Sequence, residues 1–304
     1  MMSQPIYIID GGVGTELQRR GANMDPSCWS SGAHLQDPQM LLSVHRDYLQ
    51  AGATILSTNT FMASRHLLEG GGIRNVEEVN RSAVKLALEA RDRFARSGSE
   101  VLIAGCMTTL SPLDRAHDLP RGEQINRNFR EQALLLADAG VDVLLAEMLI
   151  DSETAISLLS ACCETGLPVW AGLSAMLDDN TGELMTFRPP DKLAELPHET
   201  FDSLLENLCG LPIELLGAMH TPVEAMDSAL SQVAGKWPGP RFAYAKTGML
   251  TEHEWEFEGC IPPEEYADQA MRWIRDYQVK IVGGCCGTRA EHIEALSRRI
   301  VIDQ

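Results

Sequence analysis

The feature that most constrains this chain is an alternation. Eight short β-branched or apolar runs, at 6–10, 54–58, 101–105, 141–146, 168–173, 213–218, 241–245 and 279–282, each close on small or polar residues and precede a stretch of helical periodicity. Strands separated by crossover helices lie parallel when they share a sheet. Eight such units in 304 residues predict an α/β fold, a single (β/α)8 barrel that uses residues 1–304 as one domain. A prior of about 150 residues per domain suggests two, but α/β barrels routinely use this whole length for one.

The competing architecture is an open doubly wound sheet with a dinucleotide site. Its fingerprint needs a third glycine where Asp10-Gly-Gly-Val-Gly-Thr-Glu-Leu17 has Leu17, so that architecture loses its best support. Helix starts are legible at Asn75-Val-Glu-Glu78, Thr221-Pro-Val-Glu224 and Thr288-Arg-Ala-Glu291, each with a capping residue three positions before Glu. In the second, Pro222 is expected at the first helical position. After Asn75, the residues Val79, Ala83, Leu86, Ala87, Ala90 and Phe94 share one helical face. The least regular stretches, 111–122, 178–197 and 248–263, are expected as long loops over the barrel mouth, and the last contains an acidic, aromatic run at 252–258.

Charge and cysteine usage narrow the function. A net charge of −18 argues against nucleic acid or an anionic membrane surface as partner, because both need a basic footprint. There is no apolar run of about 18 residues, and Met1 to Pro5 carries no leader pattern, so the expected location is the cytoplasm. A chain with 44% hydrophobic residues has a core that needs no staples, and its eight cysteines are expected as reduced thiols.

In a barrel of this type the chemistry sits where the strands end. Those ends offer Asp10, Thr58-Asn59-Thr60, Cys106 with Thr108, Glu147, Ser174, His220, Lys246-Thr247 and Cys285-Cys286. The set is too polar for barrel filling and reads as a metal site beside a polar substrate. In Gly283-Gly-Cys-Cys-Gly-Thr288 the glycines allow a turn that aims two successive thiols at one ion, and His220 ends strand six within reach around the rim. Two Cys and one His suit Zn²⁺ and leave its fourth position open, the arrangement of a catalytic site. An incoming thiol there would be deprotonated and remain a good nucleophile.

At these residues the sequence resembles the zinc-dependent homocysteine S-methyltransferase family, whose members draw methyl groups from donors such as betaine or S-methylmethionine. The resemblance is carried by Asp10-Gly-Gly-Val-Gly-Thr-Glu-Leu17, by Ala51-Gly-Ala-Thr-Ile-Leu-Ser-Thr-Asn-Thr-Phe61, by Glu147 and above all by Gly283-Gly-Cys-Cys-Gly-Thr288. It implies a barrel with zinc on three cysteines and homocysteine bound as thiolate. The amino-acid end of homocysteine is then expected near Asp10, Gly11, Thr58, Asn59, Glu147 and Ser174. Two departures stand out. Gly217-Ala-Met-His220 replaces the family's Gly-x-Asn-Cys, so one thiolate ligand has become His220, and Tyr244-Ala-Lys-Thr-Gly248 replaces a Tyr-Pro-Asn type sequence.

The expected function is methyl transfer from a small sulfonium or ammonium donor to homocysteine or a related thiol, with Zn²⁺ as cofactor. Nothing in 304 residues looks like a cobalamin or folate extension. Two alternatives remain open at this point: a zinc hydrolase or lyase acting on a small polar molecule, and a barrel that has lost methyl transfer and senses through its metal or thiols.

Overall fold

The computed structural model describes residues 5–96, 98–110, 120–188, 199–250, 255–256 and 260–303. Eight strands form one sheet: Tyr7–Ile8, Ile55–Ser57, Leu102–Thr108, Val143–Leu149, Val169–Leu173, Leu215–Pro222, Arg241–Lys246 and Ile281–Val282. Each adjacent pair is parallel, and the eighth strand pairs with the first. Closure comes from a parallel bridge between Ile9 and Ile55, backed by Thr54 N donating to Ile8 O at 2.8 Å and Asp10 N to Ile55 O at 3.0 Å. The sheet therefore has no free edge. All eight expected strands are present, and the (β/α)8 barrel is the observed architecture.

Two apolar layers follow from the alternation of side chains along each strand. Ile9, Cys106, Leu145, Trp170, Met219, Phe242, Tyr244 and Ile281 fill the barrel interior. The opposite faces pack on the surrounding helices, as Leu56, Ile103, Leu144, Ala171, Ala243 and Val282 do. The helix Val76–Phe94 buries Val79, Ala83, Leu86, Ala87 and Ala90, and Phe94 packs half-buried against the same core. Asn75 caps it as its spacing predicts: its Oδ1 accepts from Glu78 N at 3.2 Å, and its Nδ2 donates to Glu78 Oε2 at 2.8 Å.

The other two expected helix starts are corrected. Strand six runs on through Thr221 to Pro222, and the following helix, Val223–Lys236, has Pro222 as its N-cap rather than its first residue. Thr221 Oγ1 instead accepts from Ala175 N at 3.0 Å and donates to Met219 O at 3.0 Å. The last helix, Ala290–Asp303, starts two residues after Thr288, whose hydroxyl donates to Cys285 O at 2.6 Å.

The expected loops are only partly irregular. Ala175–Leu177 pairs antiparallel with Leu184–Thr186, and Met249–Leu250 with Trp255–Glu256. Most of 111–122 and of the run 252–258 lies outside the described residues. Among the described residues no two cysteines form a disulfide. Among the described residues no helix is long and apolar enough to cross a membrane.

Candidate metal centre

The site begins with two irregular strand ends. Strands four and six slip register between Ala146 and Leu149 and between Met219 and Pro222. Each slip holds a non-glycine residue with positive φ, Met148 at 54° and His220 at 48°. An extra residue in a strand re-aims its neighbours, and such strained positions persist where the surroundings over-determine them. Here the anchors are Met148 N, which donates to Met219 Sδ at 3.2 Å, and Ser174 Oγ, which donates to Met219 O at 2.9 Å. The slips place Glu147 and His220 at the mouth.

The cysteine loop is fixed by its backbone. Cys285 N donates to Ala245 O at 3.1 Å, and Cys286 O accepts from Thr247 N at 2.9 Å and Gly248 N at 3.1 Å. Gly287 turns the chain with φ of 86°, and a Cβ there would stand 2.3 Å from Gly248 N, which leaves no room for any other residue. The loop also joins the first strand end, where Gly284 N donates to Asp10 O at 3.1 Å and Gly12 N to Thr288 O at 3.3 Å. Gly11 is needed for the same approach: a Cβ would sit 2.7 Å from Tyr48 and 2.8 Å from Thr288 O.

These supports bring His220 Nδ1 to 3.4 Å from Cys285 Sγ, and the two thiol sulfurs to 3.9 Å from each other. The three donors all lie within 4.8 Å of one another. A tetrahedral zinc with Zn–N about 2.0 to 2.1 Å and Zn–S about 2.3 Å spaces an N and an S donor by roughly 3.5 Å and two S donors by roughly 3.8 Å. The His220–Cys285 and Cys285–Cys286 spacings match that ion. Burial and the nearby Lys246 push the His220 pKa well below its usual value, which keeps the imidazole in the neutral form a metal needs. Burial and the neighbouring Cys285 push the Cys286 thiol up.

Two carboxylates lie deeper. Asp10 accepts from Ser57 N at 2.9 Å and Ser57 Oγ at 2.6 Å, while Glu147 Oε1 accepts from Tyr244 OH at 2.7 Å. Burial raises the Asp10 pKa well above the usual carboxylate value; the Ser57 bonds oppose the rise and the charge of Glu147 adds to it. Burial also raises Glu147, to about 7, against hydrogen bonds from Tyr244 and Cys106. Among the described residues no cation pairs with these two buried acids, and together they suit an incoming ammonium.

The remaining expected site residues have other commitments. Thr58 Oγ1 lies 2.6 Å from Thr60 Oγ1, donates to Ala104 O at 3.2 Å and accepts from Cys106 N at 3.1 Å. Asn59 Oδ1 accepts from Ser30 Oγ at 2.9 Å, and its Nδ2 donates to Ser30 O at 2.8 Å. Ser174 is tied to Met219 as described. Tyr244 and Ser57 were not singled out from sequence, although the period-two alternation from Phe242 to Tyr244 to Lys246 points one face of strand seven into the barrel. Phe187, edge-on to His220 at 5.0 Å, was also missed, since it follows a hairpin with no periodic signal.

Comparison with known proteins bears on this arrangement. A family model described as Homocysteine S-methyltransferase matches residues 7–300. Homocysteine S-methyltransferase 1 of Arabidopsis thaliana is 26% identical over 316 residues, covering 96% of this chain and 92% of that protein. Homocysteine S-methyltransferase YbgG of Bacillus subtilis (strain 168) is 25% identical, covering 96% of this chain and 94% of that protein. Among solved structures, the metallated form of the homocysteine methyltransferase MmuM from Escherichia coli superposes with a TM-score of 0.74 at 23% identity, over 98% of this chain and 97% of that one. At that identity the superposition speaks to the fold alone.

Proposed function

The chain belongs to the homocysteine S-methyltransferase family, and from that premise we propose that it moves a methyl group from a small sulfonium or ammonium donor to the sulfur of homocysteine. Residues 1–304 act as one catalytic unit in this reading. The observation that carries it is the trio His220, Cys285 and Cys286 at the barrel mouth, above the buried acids Asp10 and Glu147. Held by that trio, zinc would supply the Lewis acidity that lets a bound thiol lose its proton near neutral pH.

The chain's own residues do the rest. Asp10 and Glu147 receive the acceptor's ammonium, which favours their charged forms and offsets the burial that raises both pKa values. Ser57 and Tyr244 fix the two carboxylates before substrate arrives. Gly11 lets the first strand end pack directly against Tyr48 and the Thr288 carbonyl, beside Asp10. Thr58, Asn59 and Ser174 hold the rim, since their polar atoms already serve Cys106, Ser30 and Met219. No general base is required at the reacting centre. The new S–CH3 bond forms as the donor's onium–CH3 bond breaks, with the electron pair staying on the donor, and fixed orientation lowers the barrier.

The test is incubation of reduced, zinc-loaded protein with homocysteine and a panel of onium donors, with methionine detected by mass. Methionine formation that depends on protein and donor is expected. A fully zinc-occupied protein that makes no methionine from any donor would overturn the reading.

A further inference from the structure

The three metal-type donors differ in what they need from their surroundings. A thiolate sulfur offers lone pairs over a broad range of directions, whereas an imidazole nitrogen offers one, in the plane of its ring. A histidine ligand must therefore have its ring plane set, a demand that Cys285 and Cys286 do not make. The backbone alone does not meet it, since His220 sits in the register slip with φ of 48°, a conformation that its neighbours must hold.

Those neighbours belong to the hairpin of Ala175–Leu177 and Leu184–Thr186. It is tied to strand six on both sides of His220. Ser174 Oγ donates to Met219 O at 2.9 Å, and Ala175 N donates to Thr221 Oγ1 at 3.0 Å. The hairpin ends at Phe187, whose amide donates to Ser174 O at 2.8 Å. Ser174 thus anchors both the backbone before His220 and the backbone of Phe187. From that anchor the buried Phe187 ring meets the imidazole with centroids 5.0 Å apart and planes at 85°. Lys246 Nζ lies over the Phe187 ring, 4.8 Å from its centroid, which restrains the ring in turn.

We propose that Phe187 is a positioning residue for the metal centre: it sets the plane of the His220 imidazole so that Nδ1 faces the thiols, and the hairpin is what brings it there. The inference rests on the zinc reading above. An edge-to-face pair survives only near perpendicular ring planes, so rotation of the imidazole about its Cβ–Cγ bond loses the contact or creates a clash. The same rotation carries Nδ1 away from Cys285 Sγ, 3.4 Å distant. A sulfur ligand has no plane to set. The need for Phe187 therefore comes from histidine at 220 and should vanish with it.

That dependence is what the experiment reads. Zinc affinity of the reduced protein is measured by chelator competition in wild type, Phe187→Leu, Phe187→Tyr, His220→Cys and the double variant Phe187→Leu/His220→Cys, with Tm recorded for each. Phe187→Leu is expected to weaken zinc about three- to tenfold, the worth of one aromatic pair, and Phe187→Tyr to retain wild-type affinity. In the His220→Cys background the same Phe187→Leu change should leave zinc affinity unaltered, so that the two sites are coupled. A merely structural role would weaken zinc equally in both backgrounds. Should Phe187→Leu not fold, Phe187→Met is the second variant without a ring. Cobalt(II) in place of zinc gives an independent signature: its ligand-field bands should shift on Phe187→Leu when residue 220 is His and stay fixed when it is Cys. The proposal is overturned if loss of the ring leaves zinc affinity and the cobalt bands of wild type unchanged, if the loss is the same in both backgrounds, or if Phe187→Tyr falls as far as Phe187→Leu. A wild type that binds neither zinc nor cobalt would refute the metal centre itself and this role with it, whereas an unchanged Phe187→Leu with full zinc would refute only the role of Phe187.

Discussion

His220 Nδ1 lies 3.4 Å from Cys285 Sγ across 65 positions of sequence. Two separate backbone irregularities produce that contact, the register slip that ends strand six and the glycine-flanked turn that follows strand eight. A zinc ion with three thiolate ligands and a substrate thiolate is doubly negative, whereas one with two thiolates, neutral His220 and the same substrate is singly negative. The bound sulfur is then less electron-rich, and the rim is made more positive still by Lys246. With zinc held by this trio, a neutral imidazole in place of a thiolate would lower the nucleophilicity of the bound sulfur.

Reduced protein is expected to bind about one zinc per chain, because three donors at ligand spacing hold one ion and leave its fourth position open. Changing Cys285 and Cys286 together to Ala should abolish this zinc without unfolding the barrel, whose core lies elsewhere. His220→Ala should weaken zinc at least about tenfold, a loss already typical of changes one shell further out. Metal analysis and competition with a chelator measure both. Full occupancy in the double cysteine variant would place the metal at another site.

His220→Cys would put a third thiol beside Cys285 and Cys286. Tighter zinc and equal or greater homocysteine methylation are expected if histidine simply stands in for the thiolate. A variant that keeps zinc and loses methylation would show that the imidazole has a role beyond ligation.

Glu147 sets a pH dependence. Its pKa of about 7 in the folded protein exceeds the usual carboxylate value, so in the absence of substrate it is increasingly protonated below neutrality. Ammonium binding needs the charged form, so the KM for homocysteine should fall as pH rises through about 7. Tyr244→Phe removes a hydrogen bond that lowers this pKa and should move that transition to higher pH. For stability the sign is opposite: the folded state binds more protons than the unfolded between about 4.5 and 7, so substrate-free protein should lose stability as pH rises through this window. A KM profile flat across pH 6 to 8 would remove Glu147 from the acceptor site.

The barrel was legible because its strands are short, continuous apolar runs bounded by polar ends, and each strand end names a mouth residue. That logic put His220, Cys285 and Cys286 on one rim, where the structure brings them together, with Asp10 and Glu147 buried nearby. It failed where a side chain's role depends on a distant partner. Thr221 carries a capping-box spacing, yet the register slip extends strand six through it and its hydroxyl bonds to strand-end backbone instead. Asn59 sits in the expected motif, and no local pattern announces its contact with Ser30 across 29 positions. Phe187 reaches His220 only because a hairpin folds residues 175–186 over the mouth, in a stretch that reads as loop.

The cysteine loop supplies the last prediction. Gly287 adopts φ of 86°, and an added Cβ would stand 2.3 Å from Gly248 N, the amide that bonds to Cys286 O. Gly287→Ala therefore combines a left-handed backbone that disfavours alanine with a backbone clash, and a stability loss of about 1 to 3 kcal/mol is expected. Because the clash falls on the hydrogen bond that holds the loop, zinc affinity should drop with Tm. Gly210→Ala is the matched control, since a Cβ there meets nothing within 4 Å. Equal Tm and equal zinc affinity in the two variants would mean that the turn does not set the position of the thiols. A loss confined to Gly287→Ala would tie the metal centre to this one backbone conformation.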